Sequence, residues 1–78
     1  MDEHEFAREM SNLLFFHRKS KKITLEKLSE LTGIDNKFLN LLERGKHSTL
    51  LPSYFKIAKI LDVPINDISE VINKYFKQ

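Results

Sequence analysis

Residues 24–45 read TLEKLSELTGIDNKFLNLLERG, and their punctuation decides the fold. Thr24 is a residue type whose side chain accepts from the unpaired N–H groups at a helix start. Glu26 follows in the first turn, where the helix dipole favours negative charge. Leu25, Leu28 and Leu31 mark the apolar side of that helix, and Gly33 stops it. Asp35 can cap a second helix, running to about Arg44 before Gly45, which suits a left-handed C-cap. The stretch predicts two short helices joined by a glycine-containing turn.

The flanks read the same way. Before the stretch, Phe6, Met10, Leu13, Leu14 and His17 recur at three- and four-residue intervals, predicting an amphipathic helix over about 3–19. After it, Gly45 to Leu50 is a basic and polar loop. A fourth helix follows, with Pro52 tolerated in its first turn and Tyr54, Phe55, Ile57, Ala58, Ile60 and Leu61 on its core side. Pro64 breaks the chain, and a fifth helix starts near Asn66. Its apolar side is Ile65, Ile68, Val71, Ile72, Tyr75 and Phe76. No Asn-Gly or Asp-Gly turn and no long alternating run suggests a hairpin. The expectation is a single all-α, five-helix domain over 1–78, with a core at about 10–69 and a C-terminal helix extension at about 70–78.

Composition bounds the function. At 78 residues, one domain is the natural size, and 41% hydrophobic with 31% charged residues suits a globular rather than a disordered chain. There is no Cys, which excludes disulfides and thiolate metal sites and fits a reducing compartment, so a cytoplasmic location is expected. No apolar run approaches the ~20 residues of a membrane span. The net charge of +2 hides a gradient. Residues 1–16 carry Asp2, Glu3, Glu5 and Glu9 against Arg8, a net of −3. Residues 17–47 carry eight Lys or Arg against four acids, a net of +4. A basic middle in a near-neutral chain points to a polyanion-facing surface or to an ordinary solvated face.

A short helix, a glycine-containing turn and a second short capped helix describe a helix-turn-helix. The second helix can be tested by its own geometry. At about 100° per residue with Asn36 as origin, Phe38, Leu42 and Leu39 fall at about 200°, 240° and 300°. Asn36, Asn40, Arg44 and Lys37 fall at about 0°, 40°, 80° and 100°, and Leu41 sits on the border at about 140°. One side buries itself and the other carries Asn, which pairs with adenine N6 and N7, and Lys, which donates to guanine O6 or N7.

The run from Ile23 to Leu61, ITLEKLSELTGIDNKFLNLLERGKHSTLLPSYFKIAKIL, closely resembles the Cro/C1-type (XRE-like) helix-turn-helix family. The matching features are Thr24, Glu26, Leu28, Leu31, Gly33, Ile34, Leu39, the block Leu42-Glu43-Arg44-Gly45 and the block Lys56-Ile57-Ala58-Lys59. Arg18 falls where the family has an Arg late in its first helix, and Asp62-Val63-Pro64-Ile65 resembles its lead into helix five. The resemblance covers about residues 10–69. It implies a compact lambda repressor-like fold whose third helix enters the major groove while the second crosses the backbone. It implies a sequence-specific transcriptional regulator, a homodimeric repressor or controller on a palindromic double-stranded DNA operator, without cofactor.

On this reading Asn36, Lys37, Asn40 and Leu41 are the expected base contacts. Lys19, Lys21, Lys22, Thr24, Arg44, Lys46, His47 and Ser48 are the expected phosphate contacts, which fix register and make binding salt-dependent. Arg18 and Glu43 are implied to form a structural ion pair. Two residues depart from the family pattern. Leu41 stands where a polar or basic residue is common, so it meets a thymine methyl, a protein partner or the rim of the core. Leu25 stands where many members carry a phosphate-gripping Gln. Phe15, Phe16, Ile72, Tyr75 and Phe76 are the candidate dimer or partner surface, with folding of the terminal aromatics back onto helix one as the alternative. These apolar departures also keep open a second function, a protein-interaction module of antirepressor type.

Catalysis is not expected. His4, His17 and His47 lack metal-ligand spacing, and no Gly-rich phosphate loop is present. His17, where the family usually has an apolar residue, reads as a partly buried, satisfied histidine. No metal, membrane or small-molecule ligand is expected.

Overall fold

The computed structural model describes residues 3–48 and 51–76. Five helices follow one another: α1 (Glu3–Ser20), α2 (Leu25–Thr32), α3 (Asn36–Glu43), α4 (Leu51–Ile60) and α5 (Ile65–Tyr75). Thr49 and Leu50, the end of the expected basic loop, lie outside the described residues. α1 packs on α3, α4 and α5, and α2 packs on α3 and α4. The radius of gyration is 11.9 Å, close to the ~11.5 Å of a close-packed chain this long.

Helix ends account for most of the chain direction. After α1, the Ile23 N–H bonds Arg18 O and the Lys22 N–H bonds Lys19 O. This crossed pair is a Schellman cap, and it puts Lys22 at φ 57°. The same pair recurs at Gly45 after α3 and at Asp62 after α4 (φ 72° and 54°). Gly33 ends α2 in the left-handed region at φ 75°. Asp35 precedes α3 without a side-chain cap hydrogen bond, so it does not cap the helix in the expected way; its carboxylate acts there only through the dipole. Pro64 precedes α5, whose helical turns begin at Ile65.

Leu14, Leu28, Leu39, Leu42, Ile57 and Leu61 are fully buried, with Met10, Phe15 and Tyr54 close behind. Phe15 corrects the sequence reading. It is only 3% exposed, so in this fold it is a core residue and not partner surface. α1 is covered on two sides, by α5 and by α3 and α4. Ser11 and Phe15 are buried beside the stripe that Phe6, Met10 and Leu14 define, and Arg18 reaches Glu43 at the end of α3.

Other apolar residues expected inside stay outside. Leu31, Phe55 and Ile60 are exposed, and Ile65 is 73% exposed. Phe55 and Ile65 face each other across a shallow groove between α4 and α5, floored by Ala58, Val63 and Ile68. The rest of the α5 stripe is covered by α1, which buries Ile68 and Val71. Tyr75 and Phe76 fold back onto α1, each edge-on to Phe6 with ring centroids 6.0 and 5.1 Å apart.

Candidate nucleic-acid interface

The turn between α2 and α3 is fixed by side chains that the sequence reading passed over. Ser29 Oγ donates to Ile34 O at 2.5 Å, Thr32 Oγ1 donates to Leu28 O at 2.8 Å, and the Ile34 N–H donates to Thr32 Oγ1 at 3.2 Å. Thr32 is 1% exposed, so these bonds hold the relative angle of the two helices away from competing water. Thr24 caps α2 by accepting from the Lys27 N–H at 3.0 Å, which leaves its own O–H able to donate outward.

Above that turn lies an open groove of about 580 Å³. Thr24, Leu25 and Glu26 from the start of α2 form one wall, and Asn36, Lys37, Asn40 and Leu41 from α3 form the other. All four expected base-contacting residues therefore line a single surface. Asn36, Lys37 and Asn40 are exposed, and Leu41 is half-buried at the edge. The opposite side of α3 is anchored, with Leu39 and Leu42 at 0% exposure and Phe38 packed against the core. Leu25 and Glu26 join the site without being anticipated as groove walls. Their approach to α3 depends on the interhelical angle, which a one-dimensional pattern does not carry.

The expected phosphate contacts separate into groups. Lys22, Arg44, Lys46, His47 and Ser48 are exposed. Among the described residues, Lys22, Lys37, Arg44 and Lys46 have no ion-pair partner. Lys19 Nζ lies 3.3 Å from Glu43 Oε1 but is 67% exposed and can turn outward. Lys21 is engaged elsewhere: its ammonium donates to Leu61 O and reaches Asp62 O just after α4. There it caps orphan carbonyls, but the residue is exposed, so like Lys19 it must leave its partner to meet a phosphate. Phe38 and His47 rings lie 6.1 Å apart, and Arg8 lies along Gly45, which ties the loop after α3 to the rest of the fold.

Arg18 and Glu43 meet as the resemblance implied. Arg18 Nη2 donates to both Glu43 carboxylate oxygens at 2.8 and 3.1 Å, while Nη1 donates to Ile23 O at 2.6 Å. The side chains are 13% and 15% exposed. One guanidinium thus joins α1, the end of α3 and the connection into α2. His17 Nε2 lies 3.3 Å from Asp67 Oδ2, linking α1 to α5. Of the candidate partner surface, Phe16 is 65% and Phe76 51% exposed, whereas Ile72 and Tyr75 are half-buried.

Among the described residues, no three His, Asp or Glu side chains gather as a metal site, and no helix is long and apolar enough to cross a membrane. Residues 17–68 match the family model described as Helix-turn-helix. An uncharacterized HTH-type transcriptional regulator of Methanocaldococcus jannaschii is 36% identical over 59 residues, covering 76% of this chain and 89% of the relative. No solved structure matches the chain significantly. The chain belongs to the Cro/C1-type helix-turn-helix family of transcriptional regulators.

Proposed function

We propose that this chain is a sequence-specific double-stranded DNA-binding regulator, a homodimeric repressor or controller that reads the major groove with α3. The observation that carries the proposal is the convergence of Asn36, Lys37, Asn40 and Leu41 with the α2 N-terminus on one open groove. The N-terminal part of the second helix reaches base edges in this motif, and Asn36 and Lys37 open α3. Thr24 and the N–H groups behind it suit a backbone phosphate, with Lys22, Arg44 and Lys46 available around them.

A module this small reads few base pairs, which favours a dimer on two half-sites of a palindrome. The exposed apolar side chains flanking α5, with Phe16 on the α1 side and Phe55 and Ile65 on the α4 side, support self-association there. Exposed apolar patches mark interaction sites.

Selection of bound duplexes from random DNA, repeated at two salt concentrations, tests the proposal. The expected result is one enriched palindromic sequence whose affinity falls steeply as salt rises. The apolar Leu25 and Leu41 in the groove favour a second reading, an antirepressor-type module that binds another protein. Absence of any enriched sequence, with the protein staying off DNA at low salt, rejects DNA reading in favour of that second function.

A further inference from the structure

Leu25 and Leu41 are the two residues at which the helix-turn-helix departs from its family pattern, and the fold brings both to the same groove. Leu25 is half-buried and packs against the core from outside; Leu41 is half-buried on the facing helix. Around them stand Asn36, Asn40 and Lys37, with Glu26 as the groove's one carboxylate. Two leucines on facing walls, set among amides, one ammonium and one carboxylate, give this part of the groove an apolar character that offers a phosphate nothing. The backbone phosphate stays with Thr24 and the α2 N–H groups. The leucine-lined part suits the major-groove edge of a base pair that offers a methyl, an amino group and acceptors side by side.

Resting on the DNA-binding reading, we propose that Leu25 and Leu41 together form a specificity pocket for a pyrimidine 5-methyl group. A thymine paired with adenine offers that methyl next to the adenine N6 donor and N7 acceptor, which Asn36 or Asn40 pairs bidentately. A 5-methylcytosine paired with guanine offers the same methyl beside an N4 donor for Glu26 and guanine O6 and N7 for Lys37. The pocket therefore senses the methyl, and its polar rim decides which base carries it. Leucine at both positions gives up polar contacts to the backbone and to bases, and gains one apolar contact that unmethylated pyrimidines cannot supply.

The test uses the full chain and a duplex it enriches from random DNA. Each thymine of that duplex is replaced in turn by deoxyuridine, which removes only the methyl. At one position per half-site the wild-type chain is expected to lose about fourfold in affinity, the worth of burying one methyl. L41A, and separately L41Q in case the smaller side chain disturbs the helix, are expected to bind the thymine and uracil duplexes equally. Methylcytosine–guanine against cytosine–guanine pairs at the same position complete the set. Tighter binding of methylcytosine than thymine assigns the pocket to modified cytosine, and the reverse assigns it to thymine. Wild-type indifference to the methyl at every position, or an unchanged uracil penalty in both Leu41 variants, overturns the pocket. In that case N36A still shows altered base preference if the DNA-binding reading stands, whereas failure to enrich any duplex removes that reading as well.

Discussion

Arg18 concentrates more of the fold on one side chain than any other cation here. Its guanidinium spans Glu43 and Ile23 O in a poorly solvated site. Removing one partner of such a pair costs far more than the intact pair contributes, because the other charge is left desolvated. Arg18→Ala is expected to destabilise by about 3 kcal/mol, the low end of the ~3–5 kcal/mol range, because Lys19 can still approach Glu43. Denaturant unfolding measures this, and a change below ~1 kcal/mol, the level of an exposed pair, contradicts the assignment. The pair was legible only through resemblance, since nothing in local spacing joins residues 18 and 43. The polar side of α3 was legible from the residues themselves: helical periodicity fixes which side chains oppose Leu39 and Leu42, whatever the helix packs on. The contact of Lys21 was not legible, because its partners, Leu61 O and Asp62 O, follow α4 some forty residues on.

The helices declared themselves through their ends, although Asp35 makes no side-chain cap bond, and the other errors arose where two helices meet. Phe15 and Phe16 are adjacent and look equivalent in sequence. One is 3% and the other 65% exposed, because α1 is covered on two sides and not on the third. Ile65 continues the α5 stripe by spacing yet is exposed at the first residue of the helix. The caps yield a pair of opposite predictions. Asp62 adopts φ 54° at a position where glycine avoids the steric cost of the left-handed region. Asp62→Gly is therefore expected to stabilise by roughly 0.5–1 kcal/mol, the left-handed cost relieved less the entropy of the added glycine. Gly33→Ala is expected to destabilise by about 1–2 kcal/mol from backbone strain alone. A Cβ there meets only the flexible end of Lys56, at 4.0 Å, so no clash adds to it. Thermal unfolding of both variants checks the signs, and a shift of the two in the same direction contradicts the cap geometry.

Across the whole molecule, the extended end of α5 is tied to α1 by Tyr75 and Lys74 on Glu9. The tie makes stability pH-dependent at both extremes. The hydrogen bond from Tyr75, with Lys74 beside it, holds the Glu9 carboxyl below its ordinary value of 4.5. Donation to Glu9 pushes Tyr75 from 10.0 up to about 12. A depressed acid contributes stability present above its unfolded pKa and lost as pH falls through the folded one. A raised phenol contributes stability present below pH 10.0 and lost as pH rises towards about 12. Tyr75→Phe is expected to leave the fold intact and to flatten both the acid and the alkaline limb of a plot of melting temperature against pH. An unchanged profile contradicts the tie. The five-helix architecture was readable from local signals, but the pairing of the α2 N-terminus with α3 that builds the groove arises only in three dimensions. That groove carries the central claim, and its most direct test is affinity across every single-base variant of the selected duplex, measured for wild type, Asn36→Ala and Lys22→Ala. Asn36→Ala is expected to relax preference at one base position per half-site by ~1–3 kcal/mol. Lys22→Ala is expected to weaken all sequences alike and to shallow the salt dependence by about one charge. Uniform weakening by both variants, with base preferences intact, contradicts a DNA-reading role for α3.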